Sequence, residues 1–421
     1  MRTMKDSGIE WIGEIPESWS VERNKQLFCE INDRCENGNE HTLLSVSEYY
    51  GIAPKSDKIS DGEFETRAES LDGYKLCEIG DIVMNIMLAW KRSTGRTEYN
   101  GIVSPAYCVY RPIGNIDTKY YHYLFRTDIV ANLFKQYSTG IIDSRLRLYP
   151  DKFLALRMIV PPLHEQQAIS SFLDRQCAHI DNIIEKTKAS IEEYKKLRQA
   201  VITQAVTKGV RGDRPMKDTG FDWLLQIPAD WTMERGKNLF FETNIRSNSG
   251  EEELLTVSQY TGVTPRSQKN VNMFEAESLE GYKICEIGDI AANTMWLWAG
   301  AIGVSEYYGV ISPSYNIYRQ KNAAYNSKYL DYLLRIPPIV QLFASLSTGI
   351  RASRLRLYPE QFLNIYYPLP PLDEQAEIVA YLQEKIVEVD KLITKKEQFL
   401  TELESYKKSM IYEYVTGKKT S

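Results

Sequence analysis

Histidine is scarce in this 421-residue chain, which has only four, and its six cysteines (Cys29, Cys35, Cys77, Cys108, Cys177 and Cys285) include no Cys-x-x-Cys pair. This argues against the common zinc and redox motifs, so the cysteines are read as small core residues rather than metal ligands or disulfides. No stretch approaches the roughly 18 uninterrupted apolar residues that a membrane span needs, and no apolar run precedes Trp11. A cytoplasmic location is expected. Basic charge is not in excess either: the formal net charge is −5. DNA affinity rests largely on basic groups that displace counterions from phosphates, so any nucleic-acid role has to use local basic patches or charge borrowed from a partner.

Catalytic motifs are missing as well. An amino-methyltransferase needs Asn or Asp before Pro-Pro and an aromatic, but the proline pairs here sit in Val160-Pro161-Pro162-Leu163, Ile336-Pro337-Pro338-Ile339 and Leu369-Pro370-Pro371-Leu372. Gly417-Lys418-Lys419-Thr420 has no preceding phosphate-binding turn. His164-Glu165 resembles the start of a zinc-protease motif, but no second histidine follows, and Asp373 stands in its place in the second copy described below. Glu193-Tyr194-Lys195 has nuclease-like spacing but lies among the alternating charges of a solvated helix face. No catalytic residue, metal or cofactor is expected.

What the chain does have is a duplication. Met4-Lys5-Asp6-Ser7-Gly8-Ile9-Glu10-Trp11 returns as Met216-Lys217-Asp218-Thr219-Gly220-Phe221-Asp222-Trp223, and Gly73 to Ile82 returns as Gly281 to Ile290. Ser144 to Pro150 recurs unchanged from Ser353 to Pro359, and Pro161-Pro162-Leu163-His164-Glu165-Gln166 recurs as Pro370-Pro371-Leu372-Asp373-Glu374-Gln375. The two halves must share a fold.

Within each half, runs such as Thr42–Val46, Asp81–Ile86 and Ile102–Tyr110 read as strands and Tyr120–Gln136 as helix. After the proline pairs, Glu165–Val206 and Glu374–Val415 contain no Gly or Pro and place apolar residues at intervals of three, four and seven. A helix of about 40 residues runs about 60 Å, more than one small domain requires, and so reads as a spacer. The expected fold is a tandem of mixed α/β (α+β) domains, each followed by a long α-helix. The two helices are expected to pair as an antiparallel coiled coil with pseudo-two-fold symmetry. The domains are expected at 1–162 and 213–371, with helix one and its linker at 163–212 and helix two at 372–421.

Lys119, Arg126, Arg145, Arg147, Lys152 and Arg157 cluster late in the first half among tyrosines, a mixture suited to phosphate contact. If Arg145–Leu148 is a strand, both arginines share a face while Leu146 and Leu148 are buried. Arg354 and Arg356 are their second-copy partners. Base preference is expected where the copies differ inside a preserved frame. One such place is Lys91-Arg92-Ser93-Thr94-Gly95-Arg96 against Ala299-Gly300-Ala301-Ile302-Gly303-Val304, and another is Ile142-Asp143 against Arg351-Ala352. The DNA-binding candidates are Lys91, Arg92, Arg96, Arg145, Arg147, Arg351, Arg354 and Arg356.

These features together resemble the specificity subunit of type I restriction-modification enzymes. The resemblance is carried by Trp11-Ile12-Gly13-Glu14-Ile15-Pro16 to Trp19, Ser138-Thr139-Gly140 with Arg145 and Arg147, and Pro161 to Gln166, each with its second-copy partner. It implies two target recognition domains that each read half of a split double-stranded DNA site, joined by helices that measure the spacer. It also implies two modification (methyltransferase) subunits as partners, with restriction (translocase and nuclease) subunits outside them. Near-identity of the helix starts fits two equivalent partners, so Pro161, Pro162, Leu163, Glu165 and Gln166, with Pro370, Pro371, Leu372, Glu374 and Gln375, are expected to form their docking surface. The alternative is a tandem protein-binding scaffold with a coiled-coil spacer.

Overall fold

The computed structural model describes residues 3–58, 70–269, 278–349 and 355–420. The chain forms two compact units: residues 1–187 with 398–421, and residues 188–397.

The first unit is built on a four-stranded antiparallel sheet in the order Phe28–Ile31, Tyr107–Pro112, Ile82–Asn85, Thr94–Arg96. Its central strands are buried on both faces, which explains the unbroken apolar run Ile82-Val83-Met84. Ile82 and Met84 point to a core of Trp19, Phe28, Tyr110, Tyr120, Phe125, Phe134 and Phe153. Val83 points the other way, to Leu44, Val46, Ile52, Cys77 and Val103. The expected strand Ile102–Tyr110 is two strands, Gly101–Val103 and Tyr107–Pro112, because Pro105 lies between them and cannot donate to a ladder. The expected helix Tyr120–Gln136 is likewise two, Thr118–Phe125 and Asp128–Tyr137. Thr127 caps the second by accepting from the amide of Val130.

The second unit repeats this plan, with strands Phe240–Thr243, Asn316–Gln320, Ile290–Ala292 and Ile302–Val304 in the same order. Ile290 and Ala292 face one cluster and Ala291 the other. A bidentate ion pair ties the two central strands together at one end in each unit, with Arg111 on Asp81 (3.0 and 3.0 Å) and Arg319 on Asp289 (2.7 and 2.8 Å). Both aspartates are almost fully buried.

The long helices run Leu163–Lys208 and Leu372–Val415. In the first unit their segments pair antiparallel, with Phe172 stacked on Tyr414 at 4.4 Å and Asp181 bonded to Lys407 at 2.6 Å. In the second unit, Arg198 meets Asp390 at 2.9 Å and Lys396 lies over Tyr194 at 5.6 Å. The helix ends dock alike: Tyr120 Oη donates to Val415 O (2.7 Å) and Tyr329 Oη to Val206 O (2.9 Å). Gly209 and Gly417 terminate the helices in the left-handed region at φ 75° and 72°. A Cβ on Gly417 would strike Pro16 at 2.6 Å.

The segment after the first helix is bound rather than loose. Arg211 reaches Asp373 and Glu377 (2.6 and 2.8 Å), and Arg214 grips Glu374. Glu374 is fully buried and also accepts the indole N–H of Trp231 at 2.9 Å. Glu374→Ala is therefore expected to leave the buried Trp231 indole N–H without its acceptor, to leave Arg214 with only Lys208 O and Asp230, and to lower the stability of the second unit by about 3 kcal/mol. Glu374→Gln, which keeps one acceptor, should cost less. Urea unfolding of the full chain measures both.

A histidine beneath the sheet edge adds a pH dependence. His122 Nδ1 accepts from the Arg96 amide (3.2 Å), and burial, reinforced by Arg126, depresses its pKa to about 3. Between its ordinary value near 6.5 and 3, the unfolded chain takes a proton that the folded chain refuses, so stability falls as pH falls. At pH 5 this amounts to about 1 to 2 kcal/mol. Asp331 takes the place of His122 in the second unit, accepting from the Val304 amide at 2.9 Å, and burial raises its pKa. Its contribution has the opposite sign and is lost as pH rises through the carboxylate range. His122→Asn keeps an acceptor without titrating, so it should flatten the decline between pH 6.5 and 5 in thermal melts.

Candidate nucleic-acid interface

Three segments of the first unit lie together beside the sheet edge. The first is the turn Trp90-Lys91-Arg92. Lys91 is exposed, with its ammonium 5.1 Å from the Trp90 ring centroid, and Lys135 sits over the same ring at 4.8 Å. Arg92 adopts φ 64°, the one positive φ at a non-glycine position among the described residues, and its guanidinium meets Asp128 at 2.7 Å.

The second segment is the loop after the helix Asp128–Tyr137. Reciprocal amide–carbonyl bonds between Thr139 and Arg147 (2.9 and 3.0 Å) close it, and Lys135 reaches into it to bond Asp143 at 2.8 Å. Arg145 and Arg147 do not lie on a continuous strand: Asp143–Arg145 is a 3-10 turn, and Arg147 makes an isolated bridge. The expected alternation survives this change, with Leu146 and Leu148 buried, Arg145 exposed and Arg147 half-buried. Ile141, at the loop tip, is 99% exposed.

The third segment, Ser47-Glu48-Tyr49, is one that sequence reasoning missed. Arg126, expected to meet phosphate, is instead spent inside the domain. It donates to the carbonyls of Ser47 (3.2 Å), Glu48 (3.0 Å), Tyr49 (3.1 Å), Arg92 (2.9 Å) and Thr94 (2.9 Å), and burial lowers its pKa to about 10. One guanidinium thus ties the third segment to the first. The signal was available in the duplication, since Ser47-Glu48-Tyr49-Tyr50-Gly51 returns as Ser258-Gln259-Tyr260-Thr261-Gly262.

Other basic candidates divide by their partners. Arg96 is half-buried and committed to Thr118 (3.0 Å) and Glu98, so it stands apart from the exposed Lys91. Lys119 pairs with Asp174 at 2.9 Å, while Lys152 and Arg157 are exposed. In the second unit, Ala299 and Gly300 (φ 88°) replace Lys91 and Arg92 on the same backbone. Trp296 and Trp298 stack there at 5.7 Å. Thr348 and Arg356 repeat the loop closure (2.9 and 3.0 Å), and Arg356 is exposed. Arg351 and Arg354 lie outside the described residues. Among the described residues, no group of three or more His, Cys, Asp or Glu is placed to hold a metal.

Five of the ten helix-start residues expected to form a docking surface are turned inward. Gln166, Glu374 and Gln375 are buried, as are Pro161 and Pro370. Gln166 accepts from the Asp117 amide (2.9 Å) and donates to Pro161 O (2.8 Å). Gln375 accepts from the Asn326 amide (2.8 Å) and donates to Pro370 O (2.9 Å) and Ala324 O (3.0 Å). Half-buried Glu165 accepts the Trp19 indole N–H at 2.9 Å. The near-identity of the two motifs is explained by internal anchoring. Pro371 and Leu372 are exposed, and Pro162 and Leu163 are half-buried.

The sequence profile described as "type I restriction modification DNA specificity domain" matches residues 16–193. A Methanocaldococcus jannaschii protein provisionally named as the type I restriction enzyme MjaX specificity subunit is 23% identical over 442 aligned positions, covering 97% of this chain and 95% of that protein. The type I restriction enzyme MjaVIII specificity subunit of the same organism is 24% identical over 318 positions, 70% of this chain and 71% of that one. A structure from work on complex assembly and conformational transition of the type I R-M system shares the fold with TM-score 0.71 at 14% identity, over 96% of this chain and 99% of that one. The crystal structure of the HsdS subunit from Thermoanaerobacter tengcongensis does so with TM-score 0.55 at 15% identity, over 96% and 98%. Residues 16–193 thus match the type I restriction-modification DNA specificity domain, and the chain's resemblance to the specificity subunits of those systems holds over nearly its whole length.

Proposed function

We propose that this chain is the non-catalytic DNA-recognition subunit of a cytoplasmic type I restriction-modification complex. Each α/β domain reads one half of a bipartite double-stranded site, and the long helices fix the spacer. Two modification (methyltransferase) subunits and the restriction (translocase and nuclease) subunits perform the chemistry. The carrying observation is one surface frame built twice with different outward residues. The bridge-closed loop and the left-handed turn recur in both units, while Lys91 and Arg92 face Ala299 and Gly300. A constant frame suits positioning on phosphates, and a variable insert suits base readout. Of the helix-start residues, the exposed Pro371 and Leu372 and the half-buried Pro162, Leu163 and Glu165 are the ones a modification subunit can reach.

Lys91→Ala with Arg92→Gly imports the second unit's turn on a backbone that already favours glycine. After co-expression with a candidate modification subunit, the methylated motif should change at one half-site, as read by sequencing methylated DNA. A folded variant that still methylates the original motif would remove this turn from the readers. Arg145→Ala with Arg147→Ala should weaken binding to all duplexes similarly and reduce the salt slope by at most ~2 units. Unchanged affinity in a folded double variant would assign both arginines to structure.

A further inference from the structure

Two tyrosines stand almost wholly in solvent at corresponding places in the two units, Tyr49 at 84% exposure and Tyr260 at 82%. Each sits in the turn of a short hairpin, Leu44–Ser47 with Gly51–Pro54 and Leu255–Ser258 with Gly262–Pro265. The turns are held rigidly. Ser47 Oγ accepts from the Tyr49 amide at 3.1 Å and Ser258 Oγ from the Tyr260 amide at 3.1 Å. Beneath them lie guanidiniums, Arg126 as described and Arg335 bonded to Gln259 O (3.2 Å) and Tyr260 O (2.7 Å).

An exposed ring contributes nothing to either core, so folding alone gives no reason to keep tyrosine there. The neighbouring positions have diverged between copies, Glu48 to Gln259 and Tyr50 to Thr261, while the tyrosine and the apparatus that holds it have not. The turn also abuts the segment assigned above to base readout. Arg126 binds carbonyls of both segments in the first unit, and in the second a Cβ on Gly303 would lie 3.0 Å from the Gly262 Cα.

We propose that Tyr49 and Tyr260 are sequence-independent DNA contacts, each hydroxyl donating to a phosphate oxygen while the ring packs against the adjoining sugar. The proposal rests on the DNA-recognition role above. A tyrosine is a neutral donor, so it positions the backbone without displacing a counterion. This separates it from Arg145 and Arg147.

The test uses the full chain in complex with a modification subunit, titrated with duplexes that contain or lack the methylated motif across a salt series. Tyr49→Ala should bind both duplexes about tenfold more weakly, the loss expected for one hydrogen bond to a charged acceptor. The salt slope and the methylated motif should not change. Tyr49→Phe should fall between, and Tyr260→Ala should repeat the result. Unchanged affinity of Tyr49→Ala overturns the proposal, as does a loss confined to motif DNA, which would make the tyrosine a base reader. Normal DNA binding with fewer bound modification subunits by native mass measurement also overturns it, making the turn a protein contact. A wild-type complex that binds no duplex at all overturns the DNA-recognition role itself, and this proposal with it.

Discussion

The bond from an indole N–H to a first-turn carboxylate fixes where each long helix begins. Trp19 donates to Glu165 and Trp231 to Glu374, each at 2.9 Å, from within the domain core. A carboxylate there also meets the positive end of the helix dipole. The adjacent glutamine completes the anchor, its amide bonding the carbonyl of the first proline of the pair and the backbone N–H of Asp117 or Asn326 in the domain. Once the first turn is committed in this way, the helix direction out of the domain is set. The core is then closed by a helix segment from elsewhere in the chain, which ends with a carbonyl accepting a core tyrosine hydroxyl. Residues 398–421 belong to the first unit for this reason.

That anchor explains where the sequence was legible and where it misled. The duplication, the mixed α/β plan and the two long helices could be read directly, because apolar periodicity records what is buried. Breaks within elements were harder. Pro105 divides one expected strand and the Thr127 cap divides one expected helix, although both residues carry the relevant signal. The motif Pro-Pro-Leu-x-Glu-Gln was only half legible because identity between copies does not distinguish a shared surface from a shared anchor. Glu and Gln read as solvent-facing, and only the structure shows indole and backbone partners satisfying them. Arg126 failed as a phosphate candidate for the same reason: a guanidinium that fits phosphate fits a cluster of turn carbonyls equally well.

The duplication is informative in the opposite sense where the copies differ. Four residues around Trp90 change together. Lys91, Arg92, Asp128 and Lys135 correspond to Ala299, Gly300, Pro337 and Ala344. In the first unit they make two neighbouring sets of contacts, Lys91 and Lys135 over the Trp90 ring and Arg92 with Asp128. Arg92 and Asp128 are each other's ionic partners, so their joint replacement by Gly300 and Pro337 leaves neither charge unpaired. The backbone beneath did not need to move, since φ 64° at Arg92 and 88° at Gly300 belong to the same region.

The consequence is two faces of different chemistry on one frame. The first presents ammonium groups fixed over an indole ring, positive charge held in place at little further entropic cost. The second presents Trp296, 53% exposed, stacked on Trp298, where no lysine among the described residues covers the rings. Under the DNA-recognition role, fixed cations suit the acceptor edge of guanine, and an apolar aromatic surface suits the thymine methyl. The net charge of −5 is compatible with both faces. What a ligand meets there is local charge, Lys91 and Lys135 over the Trp90 ring in the first unit, and not the total.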